Sequence, residues 1–500
     1  MQAFEKLMEL REFGGEPRTM GLSDDQVRRF LADDADLGIA IDAAHAAHIG
    51  LRGTHGALLA GAEAELIPAL QVDYVNFYQP EAVNPYVPLA GKGPWIITSH
   101  GAVLHDNGGY GMLGFGHAPS VVLDAMSRPH VMANIMTPSV SQLAFGGRMR
   151  REVGHARADG CPFARFLCLN SGSESMTVAR RLADVNAKAM TASDGPRAGA
   201  RVASIVFENS FHGRTDGPAR ISHNSARSYH KHLASFDHRA GDLIAVPHND
   251  IAALEAAFAE SERFGVFIEA VYFEPAQGEG NPGRLVSRQW YDAARRLTRA
   301  HGALLVADSI QAGLRATGAL SMVDYPGFED AEPPDIESWS KALNAGQYPL
   351  SVLGLTEHAA GLYRYGIYGN TMTTNPRALD VACAVLDGIT PALRRNIRDR
   401  GAEFVEKLST LALRYPDIVE SVQGSGLLFC AELHAHIPVV GVGAVEEVCR
   451  QRGLGVIHGG RNALRFTPHF GITSAEIDLV VEVLDGILSE MQAEMRSASK

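Results

Sequence analysis

Five short segments hold residue types that could act together on a bound small molecule. Lys341 lies in PDIESWSKALNAGQYPLSV (334–352), after a strand-like run and before an Asn- and Gly-containing loop. A lysine in a confined site can shed its charge and form a Schiff base with a carbonyl. The plainer reading of any one lysine is a solvated side chain. Asp308 ends the apolar run of ALLVADSIQAG (303–313). A carboxylate placed there is partly desolvated and needs a partner. A protonated ring nitrogen would serve, and so would a helix start or an arginine elsewhere in the chain. EPAQGEG (274–280) brings two carboxylates, Glu274 and Glu279, out of another strand; they either act at a site or cap the turn that follows. NSFHGRTDG (209–217) offers Phe211 to cover an aromatic ring and Arg214 to clamp a carboxylate. NSGSES (170–175) offers Gly172 for close backbone approach. Ser173 and the first N–H groups of a following helix then suit a phosphate. A strand-to-helix turn needs Ser and Gly for capping in any case, and an arginine in a loop is ordinarily solvated.

The surrounding pattern says what must position these segments. Apolar runs at RFLCLN (165–170), ASIVFE (203–208), FIEAVYFEP (267–275), ALLVAD (303–308) and SVLGL (351–355) read as strands. Amphipathic stretches between them, such as SESMTVARRLADVNAK and SRQWYDAARRLTRAHG, read as helices. Near-continuous apolar strands alternating with helices predict an α/β fold, with a mostly parallel sheet covered by helices. Ligands of such sheets sit beyond the carboxyl ends of the strands, where all five segments fall. From about residue 385 onward helices flank short strands (LLFCAEL, ALRFTP), which predicts a smaller α+β domain with glycine turns at 422–426 and 459–460. Residues 1–75 read as mostly helical, with a helix start at the Ser23–Gln26 capping box. No chemistry is visible there, and a structural or interface role is expected.

Composition narrows the function class. The 500 residues are 46% hydrophobic and 20% charged with a net charge of −12, and no long basic run appears. That argues against a nucleic-acid or anionic-membrane partner. The five cysteines (Cys161, Cys168, Cys383, Cys430, Cys449) form no CxxC pair, so buried thiols in a reducing cytoplasm are expected rather than disulfides or a zinc site. The first residues, MQAFEKLMELREFGG, lack the apolar core of a signal peptide, and no apolar run approaches membrane-span length. The 20 histidines show no HExxH-like spacing, so no metal is expected.

Taken in order, the segments resemble the class III (ω-) aminotransferases of pyridoxal-phosphate fold type I, the ornithine, lysine and 4-aminobutyrate aminotransferases among them. NSGSE, FHGRT, EPAQGE, DSIQ, SKALNAG, TMTTNP and GGRNALRFTP follow that family's sequence of motifs across about residues 84–485. The resemblance implies pyridoxal 5'-phosphate as cofactor and a large domain at 116–370. It also implies a segment at 76–115 that belongs with the small domain and the active site, and a C-terminal small domain at 371–500. Lys341 resembles the lysine that carries the cofactor as a Schiff base and then moves protons. Asp308 resembles the acid paired with the ring nitrogen, Gln311 the residue bonded to the ring hydroxyl, and Phe211 the stacking residue. Gly172, Ser173 and, from a neighbouring subunit, Thr371 resemble the phosphate contacts, which implies a homodimer with active sites at its interface. Arg465 resembles the arginine for the α-carboxylate of 2-oxoglutarate or glutamate, and Glu279 the switch glutamate that pairs with it. Arg214 resembles the arginine for a donor's far carboxylate, and Tyr86 and Tyr110 fall where related enzymes line the substrate pocket.

The implied reaction moves an amino group, a terminal ω-amine of a carboxylate-bearing donor, to a 2-oxo acid such as 2-oxoglutarate. A racemase, aminomutase, decarboxylase or lyase using the same cofactor is the alternative, because the same carbanion can be protonated elsewhere. Having both Glu279 and Arg465 favours transamination, since an isomerase needs no second acid. The chain departs from the family pattern at Ser309, where the motif has Glu, at Ser175-Met176-Thr177, and at Asn344-Ala345-Gly346 after the lysine.

Overall fold

The computed structural model describes residues 2–237 and 242–498. Each of the five apolar runs forms a strand: Arg165–Leu169, Arg201–Phe207, Val266–Phe273, Leu304–Asp308 and Ser351–Leu355. Two shorter strands, Leu243–Val246 and Ile336–Trp339, complete a seven-stranded sheet. Its order runs 165–169, 351–355, 336–339, 304–308, 266–273, 201–207, 243–246. All neighbours pair in parallel except Ser351–Leu355, which runs antiparallel to both of its partners. This is the expected α/β architecture.

The sheet explains why its strands are apolar end to end. From Phe267 to Phe273 every side chain is buried, because helices cover both faces. A fully buried Phe, Val or Ile contributes about 1.5–3 kcal/mol. The helix Arg288–His301 shows how the cover is built. Trp290, Tyr291, Ala294 and Thr298 face inward, Ser287 caps its start, and Gly302 ends it in a left-handed conformation (φ 79°). The helix Gly172–Thr191 packs Met176, Val178, Ala179, Leu182 and Ala183 into the core that contains Val206, Tyr272, Val306 and Leu353. Because five of the parallel strands run the same way, the turns after Leu169, Phe207, Phe273, Asp308 and Trp339 all emerge at one edge.

Chain contacts divide the molecule into two compact units, Val121–Arg398 around this sheet and Met1–Ser120 with Asp399–Lys500. The second unit holds two smaller sheets. Pro88–Lys92, Trp95–Thr98 and Val103–Asp106 form an antiparallel meander, joined in parallel by Leu454–Gly455. Val419–Ser425, Leu428–Leu433, Ala463–Phe466 and Ile457–Gly459 form an antiparallel sheet; in sequence the helix Val445–Gln451 lies between Leu428–Leu433 and Ile457–Gly459, and Ser474–Ala498 follows the last strand. The N-terminal residues are helical at Ala3–Phe13, Asp24–Asp33, Ala35–Leu59 and Glu63–Gln71, and Ser23 with Gln26 makes the expected capping box. Leu7, Leu10, Phe30, Leu37 and Ile41 share a core with Trp95, Ile97 and Val103, so this extension is part of the unit's packing.

One turn assignment fails. Gly424 was expected in a turn, yet it lies inside Val419–Ser425 opposite Phe429. A Cβ there would run into the Phe429 side chain, so the glycine serves close cross-strand approach. All five cysteines are free. Among the described residues no helix is long and apolar enough to cross a membrane.

Candidate active site

Residues from four of the five turns, and Lys341 after Trp339, meet in one cavity of about 200 Å³ within Val121–Arg398. Its walls include Gly172, Ser173, Phe211, His212, Glu274, Asp308, Gln311 and Lys341. Lys341 opens a short 3-10 turn, Lys341–Asn344, with φ at 44°. A non-glycine residue held in the left-handed region costs about 1 kcal/mol or more, so surrounding bonds must fix it. Ser340 Oγ and Asn344 Nδ2 both donate to the Leu350 carbonyl, at 2.7 and 2.9 Å, and pin the turn on either side. Lys341 Nζ donates to Gln311 Oε1 at 2.8 Å.

Asp308 is buried at the end of its strand. One oxygen accepts the Ile310 N–H at 3.1 Å, and the other meets His212 Nδ1 at 2.7 Å. His212 was not singled out in the sequence; it sits inside the FHGRT motif, but its partner is 96 positions away. Glu274 is equally buried and accepts N–H bonds from Phe211 at 3.0 Å and Gly278 at 2.8 Å. Burial pushes its carboxyl up to about 7, with Asp308 adding to the rise and His212 and the two N–H groups opposing it.

Gly172 begins the helix Gly172–Thr191, and a Cβ on it would lie 2.8 Å from the Ile310 side chain. Ser171 caps that helix by accepting the Glu174 N–H at 3.2 Å. The free N–H groups of this first turn point where an anion binds best. Gly213 passes so close to Ser173 that only glycine fits, and the Arg214 N–H reaches Ser173 Oγ at 3.4 Å.

Other expected site residues lie off this cavity wall. The Arg214 side chain is exposed, with its guanidinium 5.3 Å from the Phe211 ring centre. Glu279 is half-buried, directly after Gly278. Thr371 is exposed, next to Asn370, whose amide donates to Glu174 at 2.8 Å. Arg465, Tyr86 and Tyr110 belong to the other unit. Arg465 is fully buried on the strand Ala463–Phe466, paired across to Cys430 and Ile457. Tyr86 and Tyr110 line a cavity of about 440 Å³ with Asp106, His117 and Arg450.

The departure at Ser309 has a structural counterpart. Ser309 Oγ donates to Glu337 Oε1 at 2.6 Å, and the Met322 N–H reaches the same oxygen at 2.9 Å. Ser321 donates to the other oxygen at 2.5 Å. A buried carboxylate from the neighbouring strand therefore stands beside the acid turn.

The family profile described as aminotransferase class-III matches residues 77–488. The chain belongs to the class-III aminotransferases. It is therefore a pyridoxal-phosphate-dependent transaminase, which moves an amino group from an amine donor to a 2-oxo acid. A protein named acetylornithine aminotransferase from Neisseria meningitidis serogroup A is 30% identical over 432 residues, covering 84% of this chain and 99% of the relative. Another of that name from Thermosynechococcus vestitus is 29% identical over 415 residues, covering 80% and 93%. Among solved structures, the ornithine aminotransferase of Toxoplasma gondii ME49 superposes with a TM-score of 0.71 at 24% identity, covering 86% of this chain and 96% of that one. The acetylornithine aminotransferase of Elizabethkingia anophelis gives 0.67 at 23%, covering 85% and 99%. At these identities the structures speak to the fold, and they agree with the α/β class read from the sequence.

The cavity of this class-III aminotransferase suits the cofactor. Gln311 Nε2 and His212 Nε2 are buried and meet no partner among the described residues. A buried polar atom left so costs about 1–3 kcal/mol, and Gln311 Nε2 is a donor of the kind a ring oxygen would satisfy. The amine, the carboxylate, the aromatic ring and the helix N-terminus each match one part of a phosphorylated pyridine aldehyde.

Proposed function

We propose that this enzyme transfers the terminal amine of an ornithine-like donor, with a carboxylate at its far end, to 2-oxoglutarate. The 2.8 Å bond between Lys341 Nζ and Gln311 Oε1, in a cavity that also holds Asp308, carries the reading. When bound, the cofactor supplies an electron sink for the carbon that bears the amine.

Lys341 would hold the cofactor through its aldehyde carbon, and its Nζ, freed when the donor's amine takes its place there, would be the base that takes the proton from the donor carbon. Asp308 would keep the ring nitrogen protonated, because its carboxylate favours a cation beside it. His212 fixes the orientation of that carboxylate. Gln311 would hold the ring hydroxyl and Phe211 would cover the ring face. Gly172 and Ser173 offer the phosphate the amides of the helix start, with Thr371 of a second subunit as a further contact. Arg465 is assigned to the acceptor's carboxylate, Glu279 to the switch between acceptor and amine donor, and Arg214 to the donor's far carboxylate. Tyr86 and Tyr110 are assigned to donor recognition.

A homodimer is part of the reading. Val131, Ile135, Met136, Val140 and Leu143 are exposed along one stretch of the larger unit, and a second copy would cover them. The free thiols, four buried and Cys161 half-buried, suit a cytoplasmic enzyme. The relatives named for acetylornithine support a donor of that shape.

A panel of ω-amines and ω-amino acids offered with 2-oxoglutarate and with pyruvate, following glutamate and alanine, tests the proposal. Ornithine-like donors with 2-oxoglutarate should give the fastest glutamate formation. Equal rates with simple alkylamines, or a preference for pyruvate, would overturn it.

A further inference from the structure

Glu274 is the one ionisable group in the cavity wall that the reading above leaves without a task. Its two oxygens are spent on two different loops. Oε1 accepts the N–H of Phe211, and Oε2 accepts the N–H of Gly278, at 3.0 and 2.8 Å. The same two loops are joined twice more. Gln277 Nε2 donates to the Glu208 carbonyl at 3.0 Å, and Gly280 lies so close to the Asn209 carbonyl that a Cβ could not be fitted. Gly278 in turn presses on Gln311, where an added Cβ would stand 2.6 Å from Gln311 Cδ. Gln311 is the acceptor for Lys341. One carboxyl therefore sits at the head of two short chains, to Phe211 directly and to Lys341 through Gly278 and Gln311.

We propose that Glu274 is a positioning residue for the cofactor site, clamping the Phe211 loop to the Gly278 turn and so setting where the stacking ring and the Gln311–Lys341 pair stand. The assignment rests on the reading of Lys341, Gln311 and Phe211 as cofactor-holding residues. A side chain buried to 4% exposure and bonded to two backbone donors does not move freely, so it holds the two loops at a fixed separation. Glutamine at this place keeps one acceptor oxygen. Its NH2 group would face a backbone N–H, so one of the two loops must let go.

The test uses the holoenzyme and four variants: Glu274→Gln, Phe211→Ala, their combination, and Gly278→Ala. Two quantities are read, the rate at which pyridoxal phosphate leaves on dilution and the pH midpoint of the yellow colour of the bound cofactor. Glu274→Gln should release cofactor about tenfold faster or more and shift the midpoint, with melting of the cofactor-free protein lowered by no more than one lost buried hydrogen bond accounts for. In the double variant the two losses should not multiply, because both act on one ring. Gly278→Ala should shift the colour midpoint in the same direction, and it stands in if Glu274→Gln does not fold. Wild-type release and midpoint in Glu274→Gln, or losses that multiply with Phe211→Ala, would overturn the assignment. Lys341→Ala separates the two levels. If it still forms a borohydride-reducible yellow protein, the reading of the site fails. If it does not, while Glu274→Gln behaves as wild type, only the role of Glu274 fails.

Discussion

Asp308 and Glu476 are both carboxylates exposed to only 4%, both held by histidine, one in each unit. Glu476 Oε1 meets His105 Nε2 at 3.2 Å and His469 Nε2 at 2.9 Å, and its Oε2 takes the Thr473 N–H at 2.6 Å. Asn107 donates to the remaining nitrogen of His105 at 3.0 Å. That bond leaves the proton of His105 on Nε2, aimed at the carboxylate, where a metal would need a bare nitrogen. The trio, whose ligand atoms lie within 4.8 Å of one another, is thus a hydrogen-bonded group at the start of the helix Ser474–Ala498, with both carboxylate oxygens of Glu476 engaged. Around Asp308 the account does not close. His212 Nε2 and Gln311 Nε2 are left over, both in residues that line a cavity. The same chemical groups build a structural staple in one unit and a ligand site in the other. Asn107 Oδ1 is also buried without a partner among the described residues, but Asn107 lines none of the cavities described, whereas His212 and Gln311 line one. Where the leftover atoms lie distinguishes the two places.

Removing a group from each place should therefore fail in different ways. Lys341→Ala should lower turnover by about 10³-fold or more, the scale of a lost proton-transfer group, with little change in melting; a scan of rate and Tm on one preparation checks both. Glu476→Gln should reverse the pattern, costing about 3 kcal/mol of stability because a buried pair is broken, while cofactor binding persists below the melting range. Its pH dependence has a definite sign. Burial alone would raise the Glu476 carboxyl, but the hydrogen bonds and charge of His105 and His469 outweigh it and hold it well below the usual carboxylate range. The stability it supplies is present above the unfolded value of about 4.3 and is lost as pH falls through the folded one, so the Tm gap between wild type and Glu476→Gln should narrow from about pH 5 downward. A gap that widens there would break the comparison.

Arg465→Gln asks whether the unit with the staple also handles substrate. It should raise the KM for 2-oxoglutarate about 10- to 100-fold, the worth of a charged hydrogen bond, and affect the amine donor far less. Equal losses on both substrates would leave Arg465 a packing residue. Ser309→Ala should be mildest, about 1 kcal/mol of stability from one lost bond to Glu337, read as a small drop in Tm.

The sequence made the sheet and the site turns legible for a physical reason. Parallel strands are buried on both faces, so they appear as unbroken apolar runs, and the turns that follow their carboxyl ends are short. Lys341, Asp308, Gln311, Phe211, Gly172 and Ser173 could be placed on one edge by that rule, and the structure gathers them in one cavity. Pairings that cross the sheet were not legible. His212 reaches Asp308 over 96 positions, and Glu337 reaches Ser309 from a different strand. Ser309 showed only as a missing acid, because nothing local marks Glu337 as its partner. Gly424 misled because glycine marks a turn and a tight cross-strand contact alike.

The left-handed backbone at Lys341 bears on how an inactive enzyme should be made. Alanine in that position removes the amine but keeps the conformational penalty of an L-residue there, about 1 kcal/mol or more. Glycine meets no such penalty, so Lys341→Gly should melt higher than Lys341→Ala in spite of its looser chain. It is also the better starting point for restoring turnover with a small primary amine added from solution.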